Sequence, residues 1–351
     1  PPLPTPPSPH WHDWPRALAA NATVRGQAVH YSVTGQNKNN RDPLMNYDES
    51  QQVWLGLVLA SLMFGVALEL RLSHFAYVLR RPLPVFTGLA AQCLLLPWAT
   101  LLATLLLDLK PGIELGLLLV ACCPGGNLSN VITHLARGNT ALSVSVTSVS
   151  SLLAIITLPF NFALTASLNP DTAAFLRGQM STLQVDASGI VQGLLLMLVA
   201  PLLVGMLLGN LPHPNTAPIR PGFKRGTRVA AGVVLRGALI GNRHLLLDSL
   251  GSLLLIVVLH NASALLLGWG TARAFGLVDF DRRALTIEVG MQNSGLALGL
   301  IFTQFGAQPD MALIAALWGT WHIVSGLLLV ALWRRNPPLM HAEKEEKSCA
   351  S

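Results

Sequence analysis

"EVGMQNSGLALG", residues 288–299, lies inside an otherwise apolar run from Thr286 to Phe305. A helix needs roughly 20 residues to cross the hydrocarbon of a bilayer, and this run has that length. Yet it carries a carboxylate, two carboxamides and several glycines. Glu288, Met291 and Gln292 stand at i, i+3 and i+4, on one face wherever the segment is helical. Gly290 and Gly295 permit unwinding, which would bring backbone carbonyls into play as well. An intramembrane carboxylate is costly and needs a partner. No Lys or Arg lies within the segment, and Glu288 reads as the only acid deep in any span. A hard cation held by oxygen ligands would meet that need, and so would a proton.

Composition marks the chain as a membrane protein. Of its 351 residues, 52% are hydrophobic and 11% charged, against about 25% charged in an ordinary soluble domain, and the mean hydropathy is +0.51. The 23 Lys and Arg exceed the 17 Asp and Glu, but the basic residues are scattered through short loops. That pattern fits cytoplasmic loops and argues against nucleic-acid binding. Cys93, Cys122 and Cys123 lie in apolar segments and Cys349 in the tail. Their spacing matches no zinc pattern, and they read as small buried hydrophobes.

Residues 1–50 are polar, rich in Pro and Asn, and read as a flexible extension. Residues 51–335 read as the membrane domain and 336–351 as a cytoplasmic tail. Apolar segments of spanning length run at about 51–70, 83–108, 113–134, 141–167, 190–210, 250–272, 286–306 and 311–333. Basic residues follow the first span (Arg71, Arg80, Arg81), the third (Arg137) and the fifth (Arg220, Lys224, Arg225, Arg228). Others precede the Glu288 segment (Arg273, Arg282, Arg283) or follow the last span (Arg334, Arg335). All fall on one side only if the short stretch around Arg236 also crosses. The expectation is therefore about nine spans, in an all-α membrane protein with its amino end outside and its carboxyl end in the cytoplasm. Asn21, in that outside extension, sits in a glycosylation pattern; Asn127 and Asn261 match the same pattern inside spans, where no such enzyme reaches.

A second interrupted span is "ACCPGGNLSN", residues 121–130. Pro124 removes a backbone donor and Gly125-Gly126 removes side-chain support for a helix. Irregular backbone at this depth is tolerated only where it lines a cavity or is buried by protein. Asn127, Ser129 and Asn130 follow at once with oxygen ligands and amide donors. Ser143, Thr147 and Ser150 form a hydroxyl stripe at i, i+4 and i+7. Taken alone, that stripe reads as hydroxyls bonding back to carbonyls one turn earlier. Gln92, in "AAQCLLLPW", reads alone as a polar group bonded to a neighbouring helix. Paired interrupted helices in corresponding positions of two halves point to the binding site of a secondary transporter with inverted repeats.

In "CCPGGNLSN", "ARGNTALSVSVTSVS", "EVGMQNSGLA" and "WHIVSG", in that order, the chain resembles the bile acid:sodium symporter family, with motifs nearer the bacterial and plastid-type pattern. The match runs from about Met63 to Arg335. The resemblance implies core and panel domains, two discontinuous helices that cross in the core, and two sodium ions as coupling ions with no other cofactor. It implies that one ion is held at Ser129, Asn130, Ser143, Thr147 and Glu288. The other would be held at Gln92, Glu288, Val289, Met291 and Gln292, partly through backbone carbonyls. Asn127, Asn293 and His322 match positions that face the substrate, and Ile323 stands where some members carry an asparagine.

The expected function is sodium-coupled symport of an organic anion by alternating access, across the plasma membrane or, as the alternative, an organelle envelope. A proton-coupled or exchanging carrier that uses Glu288 as a proton site is the alternative, as is a non-transporting receptor on the same scaffold. An intramembrane aspartyl protease needs two aspartates within the membrane. Asp108 and Asp248 read as lying at span ends, and Asp279 and Asp281 in a loop.

Overall fold

The computed structural model describes residues 61, 64, 67, 77–183, 199–201, 203–208 and 243–335. The polar extension, the loop at 220–228, the stretch around Arg236 and the tail from 336 lie outside the described residues, as does most of the first and fifth spans. Every named element among the described residues is helical.

Proline and the residues around it set the helix boundaries. α1, Pro82–Leu107, opens with proline at its first turn and contains a π-helical turn over Ala91–Leu95. Pro97 follows directly; it has no amide to donate, and the wider turn before it takes up the break in the ladder. Asp108, in the left-handed region at φ 47°, ends the helix. α2, Pro111–Cys122, stops where Pro124 forbids the helical conformation at Cys123, which is extended at φ −68°, ψ 151°. α3, Asn127–Leu135, resumes after the extended Gly126. α4, Thr140–Leu168, begins at Asn139, whose side chain accepts from the Leu142 amide at 3.0 Å. α5, Pro170–Leu183, follows it.

The second set of helices has the same plan. α6, Arg243–Ala274, is closed by Gly276 at φ 67°, where the Leu277 amide reaches back to the Ala272 carbonyl at 3.0 Å. α7, Asp279–Gly290, and α8, Ser294–Gln304, are the two halves of the second broken segment. α9, Pro309–Arg334, starts with proline behind the Gln308 cap. By length and hydropathy α1, α4, α9 and residues Gly251–Ala274 of α6 are each sufficient to cross a bilayer.

α2 sits at the centre. All its residues from Gly112 to Cys122 are buried, as expected of a helix apolar on every side, and it packs into one core with α4, α8 and α9. The outer faces are apolar and exposed: Trp98 and Leu102 on α1, Leu259 and Leu266 on α6, Leu328 and Leu332 on α9. Faces of this kind suit acyl chains rather than water.

Two expectations need correction. Asp279 and Asp281 are not in a loop: they form the first turn of α7, where carboxylates complement the free amides. Asp281 is 1% exposed, accepts from the Asn139 amide at 2.6 Å and lies 3.4 Å from Arg81. Arg283, expected among loop charges, is buried and holds Asp279 at 2.8 Å and the carbonyls of Ala136 and Trp333 at 3.2 Å each. These contacts gather the start of α1 and α7 and the ends of α3 and α9 at one end of the bundle. Besides Glu288 two further acids, Asp281 and Glu114, are buried among the described residues, and neither lies deep in a span. Glu114, one turn into α2, is 1% exposed and accepts from the Leu109 amide at 3.0 Å and from Asn169 at 2.8 Å.

Glycine allows α6 to lie against α7. A Cβ on Gly268 would stand 2.5 Å from the Leu285 carbonyl oxygen, whereas one on Gly270 meets nothing within 4 Å. Gly268→Ala should therefore cost about 1–3 kcal/mol by overpacking against backbone, seen as a lower melting midpoint in detergent. Gly270→Ala should melt within experimental error of the parent protein.

Candidate functional site

The two broken segments meet each other. Gly125 and Gln292 form an isolated antiparallel bridge. The Gly126 amide donates to the Met291 carbonyl at 3.0 Å, and the Asn293 amide to the Pro124 carbonyl at 2.9 Å. Each unwound segment thus satisfies part of the other's exposed backbone, which answers the cost of breaking a helix inside the membrane. The bridge needs glycine at 125: a Cβ there would run into Glu288 Oε1 and stand 2.9 Å from its Cδ.

Glu288 is fully buried beside this crossing. Its Oε2 accepts from Ser129 at 2.7 Å and from Ser143 at 2.8 Å; its Oε1 accepts from Thr147. Asn130 Oδ1 joins the cluster, 2.8 Å from the Ser143 hydroxyl and 3.3 Å from that of Thr147. The five residues Ser129, Asn130, Ser143, Thr147 and Glu288, drawn from α3, α4 and α7, therefore stand together. The hydroxyl stripe departs from the reading of it in isolation. Thr147 does bond back to the Ser143 carbonyl at 3.0 Å and Ser150 to that of Thr147 at 3.2 Å, but Ser143 and Thr147 also turn to Glu288.

A second cluster forms at Gln292, itself one of the bridge residues. Gln92, in the π turn of α1, donates through Nε2 to the Cys123 carbonyl at 3.1 Å and to Gln292 Oε1. Gln292 Nε2 donates to the Val289 carbonyl at 2.7 Å. Val289 is fully buried, its side chain packed with Ala91, Ala121 and Ala264. The Met291 side chain packs against Ile132, Ile287 and Val330, and the Met291 carbonyl belongs to the bridge.

The three positions matched to substrate are less closely tied. Asn127 is half-buried at the first turn of α3. Asn293 is half-buried, and its side-chain oxygen accepts from the Leu296 amide at 3.0 Å as the cap of α8. His322 is 5% exposed, with its ring 5.4 Å from that of Trp318 and no hydrogen-bond partner for Nδ1. It lies one turn beyond Gly319, against which Ser294 packs, so α9 places it near the amino end of α8.

Asn261, set aside above as an unusable glycosylation match, is part of this site. It is fully buried on α6, and its Nδ2 donates to the Gly290 carbonyl at 2.8 Å. Its position on an otherwise apolar helix, which raises the same question as Gln92, was the available signal.

The donor chemistry is one carboxylate among hydroxyls, carboxamides and carbonyls. Among the described residues no three His, Cys, Asp or Glu side chains are grouped to hold a metal. Divalent cations generally draw on more than one carboxylate or keep several waters, so this set suits a small monovalent cation better. The half-helices add to the field. The carboxyl ends of α2 and α7 bring partial negative charge to the crossing, and the amino ends of α3 and α8 bring partial positive charge.

The model for the sodium bile acid symporter family matches residues 56–246, more than half of the sequence. The chain belongs to that family. An uncharacterized sodium-dependent transporter of Bacillus subtilis is 32% identical over 283 residues, 81% of this chain and 84% of its own. A probable chloroplastic sodium/metabolite cotransporter of Arabidopsis thaliana is 34% identical over 289 residues, 81% of this chain and 68% of its own. A symporter family is a family of membrane transporters, not of enzymes.

Because the Gly125 contact is steric, it separates the two glycines. Gly125→Ala should displace the Glu288 carboxylate and lower the melting midpoint, at about 1–3 kcal/mol of overpacking. Gly126→Ala, whose nearest new contact is the Gln292 carbonyl at 3.6 Å, should melt close to the parent protein. Equal melting of the two variants would contradict this geometry.

Proposed function

We propose that the protein is a sodium-coupled symporter of an organic anion. The observation that carries the reading is Glu288, a fully buried carboxylate ringed by Ser129, Ser143, Thr147 and Asn130 at the crossing of two broken helices. Among the contacts described, no basic side chain reaches that carboxylate. A sodium ion in the oxygen cluster would neutralise it, and the names of the relatives, sodium-dependent transporter and sodium/metabolite cotransporter, support that choice of ion. In this reading Ser129, Asn130, Ser143, Thr147 and Glu288 hold one ion. Gln92, Gln292 and the carbonyls of Glu288, Val289 and Met291 hold the second.

The anion would then dock at the positive amino ends of α3 and α8 with Asn127, Asn293 and His322. The ions couple to it through structure. They sit on the same unwound segments whose amide ends bind the anion, so binding one orders the site for the other. Alternating access follows from motion of this core against a panel supplied by the remaining spans. About nine spans cross in all, with the amino end outside, the carboxyl end in the cytoplasm, and the plasma membrane as the site of action. Half-helix ends facing across a pseudo-symmetric crossing are the arrangement expected of inverted repeats.

The test is uptake of radiolabelled taurocholate and a panel of monovalent carboxylates into proteoliposomes. Sodium and proton gradients, and a potassium diffusion potential, are imposed separately. Two sodium ions with a monovalent anion move one net positive charge, so an inside-negative potential should drive uptake, at about 2.3 kcal/mol per charge per 100 mV. Ser143→Ala/Thr147→Ala should lower the number of coupled ions or abolish uptake. Uptake of a monovalent anion that follows the proton gradient and ignores sodium would transfer the role of Glu288 to a proton.

A further inference from the structure

The two halves of the crossing are held by a matching pair of carboxamides, of which Gln92 is only one. α1 precedes the first broken pair, α2 and α3; α6 precedes the second, α7 and α8. Gln92 on α1 donates to the Cys123 carbonyl, at the carboxyl end of α2 and 31 residues on. Asn261 on α6 donates to the Gly290 carbonyl, the last residue of α7 and 29 residues on. Each helix thus uses one carboxamide to cap the carboxyl end of the half-helix that follows it.

What each cap leaves over is the informative part. A carbonyl only accepts, so the atom facing it must be the amide nitrogen, and the side-chain oxygen is turned away. Gln92 Oε1 and Asn261 Oδ1 are both buried without a hydrogen-bond partner, on residues 1% and 0% exposed. A purely structural cap has no use for an orphaned acceptor, which costs about 1–3 kcal/mol when buried. Two of them at equivalent places in two halves point to a shared use rather than to leftovers of packing. Both lie at half-helix carboxyl ends, where partial negative charge already gathers. A cation is what an unmatched oxygen in such a field would take.

We propose that Asn261 is the counterpart of Gln92. It pins the end of α7 through its nitrogen and offers Oδ1 to the second sodium ion, beside the Gly290–Gln292 backbone. The proposal rests on the sodium reading above and adds a ligand-bearing residue from α6, which ties that helix to ion occupancy. Asn261 then does for the second half what Gln92 does for the first.

The test is sodium titration of the melting midpoint of the purified full-length protein, with choline chloride keeping ionic strength constant. Asn261→Ala should weaken the apparent sodium affinity by about tenfold or more, the range seen when residues supporting a metal ligand are removed. Asn261→Asp retains an oxygen while losing the amide donor, and should recover sodium response to within about threefold of the parent. Gln92→Ala should behave as Asn261→Ala does. If Asn261→Ala proves too unstable to titrate, Asn261→Asp carries the comparison alone. Titration of Asn261→Ala like the parent, or Asn261→Asp with a tenfold loss of its own, would overturn the proposal while leaving the sodium reading intact. A parent protein indifferent to sodium would instead remove the sodium reading itself.

Discussion

The structure depends on one constraint: a carboxylate placed where neither water nor a basic side chain among the described contacts can meet it. Hydrocarbon tolerates a charge only when its surroundings supply the missing solvation. Around Glu288 the surroundings are three hydroxyls and a carboxamide oxygen, and to bring them together the chain interrupts two helices and crosses them. The Gly125–Gln292 bridge then repairs the backbone that the interruptions expose. Hydroxyls can orient toward a carboxylate but leave its net charge in place. A monovalent cation removes that charge and makes use of the Asn130 oxygen as well, and this is the physical reason to read the cluster as an ion site.

The same features explain what could be read before the structure. A bilayer leaves few options for unpaired backbone, so Pro124-Gly125-Gly126 and the glycines about Met291 stood out against apolar runs. Glu288 stood out for the same reason. Local chemistry also showed which residue types were at hand. What the sequence could not show is which of them meet. Gln92 and Gln292 are 200 residues apart, and Thr147 and Glu288 are 141 apart. No periodicity records such pairings; the family resemblance proposed them, and the structure places those side chains within hydrogen-bonding distance.

The misreadings have physical causes too. Asp279 and Asp281 look like loop residues because they are charged and flank an apolar run, yet a helix amino terminus favours acids. Arg283 looks like a solvated cytoplasmic charge, but it closes one end of the bundle over two backbone carbonyls. The π turn at Gln92 leaves no clear mark, since the Pro97 that accompanies it reads equally well as a simple kink. Asn261 was masked by a sequence pattern of little specificity. Its partner is a carbonyl, which every residue carries and no sequence distinguishes.

In the proposed reading the crossing joins ion and anion through one piece of backbone. The proposed cation ligands lie at the carboxyl ends of α2 and α7, and the free amides proposed to attract the anion lie four or five residues further along at the amino ends of α3 and α8. Order imposed on the unwound residues between them is felt on both sides. The central claim is that the Glu288 carboxylate holds a sodium ion, and equilibrium binding of radioactive sodium to the purified protein measures this without any substrate. About two ions should bind per chain in the parent protein, and Glu288→Ala, which removes the carboxylate but keeps the backbone carbonyl, should lose at least the ion held with Ser129, Asn130, Ser143 and Thr147. A folded Glu288→Ala protein that bound sodium as the parent does would contradict the claim.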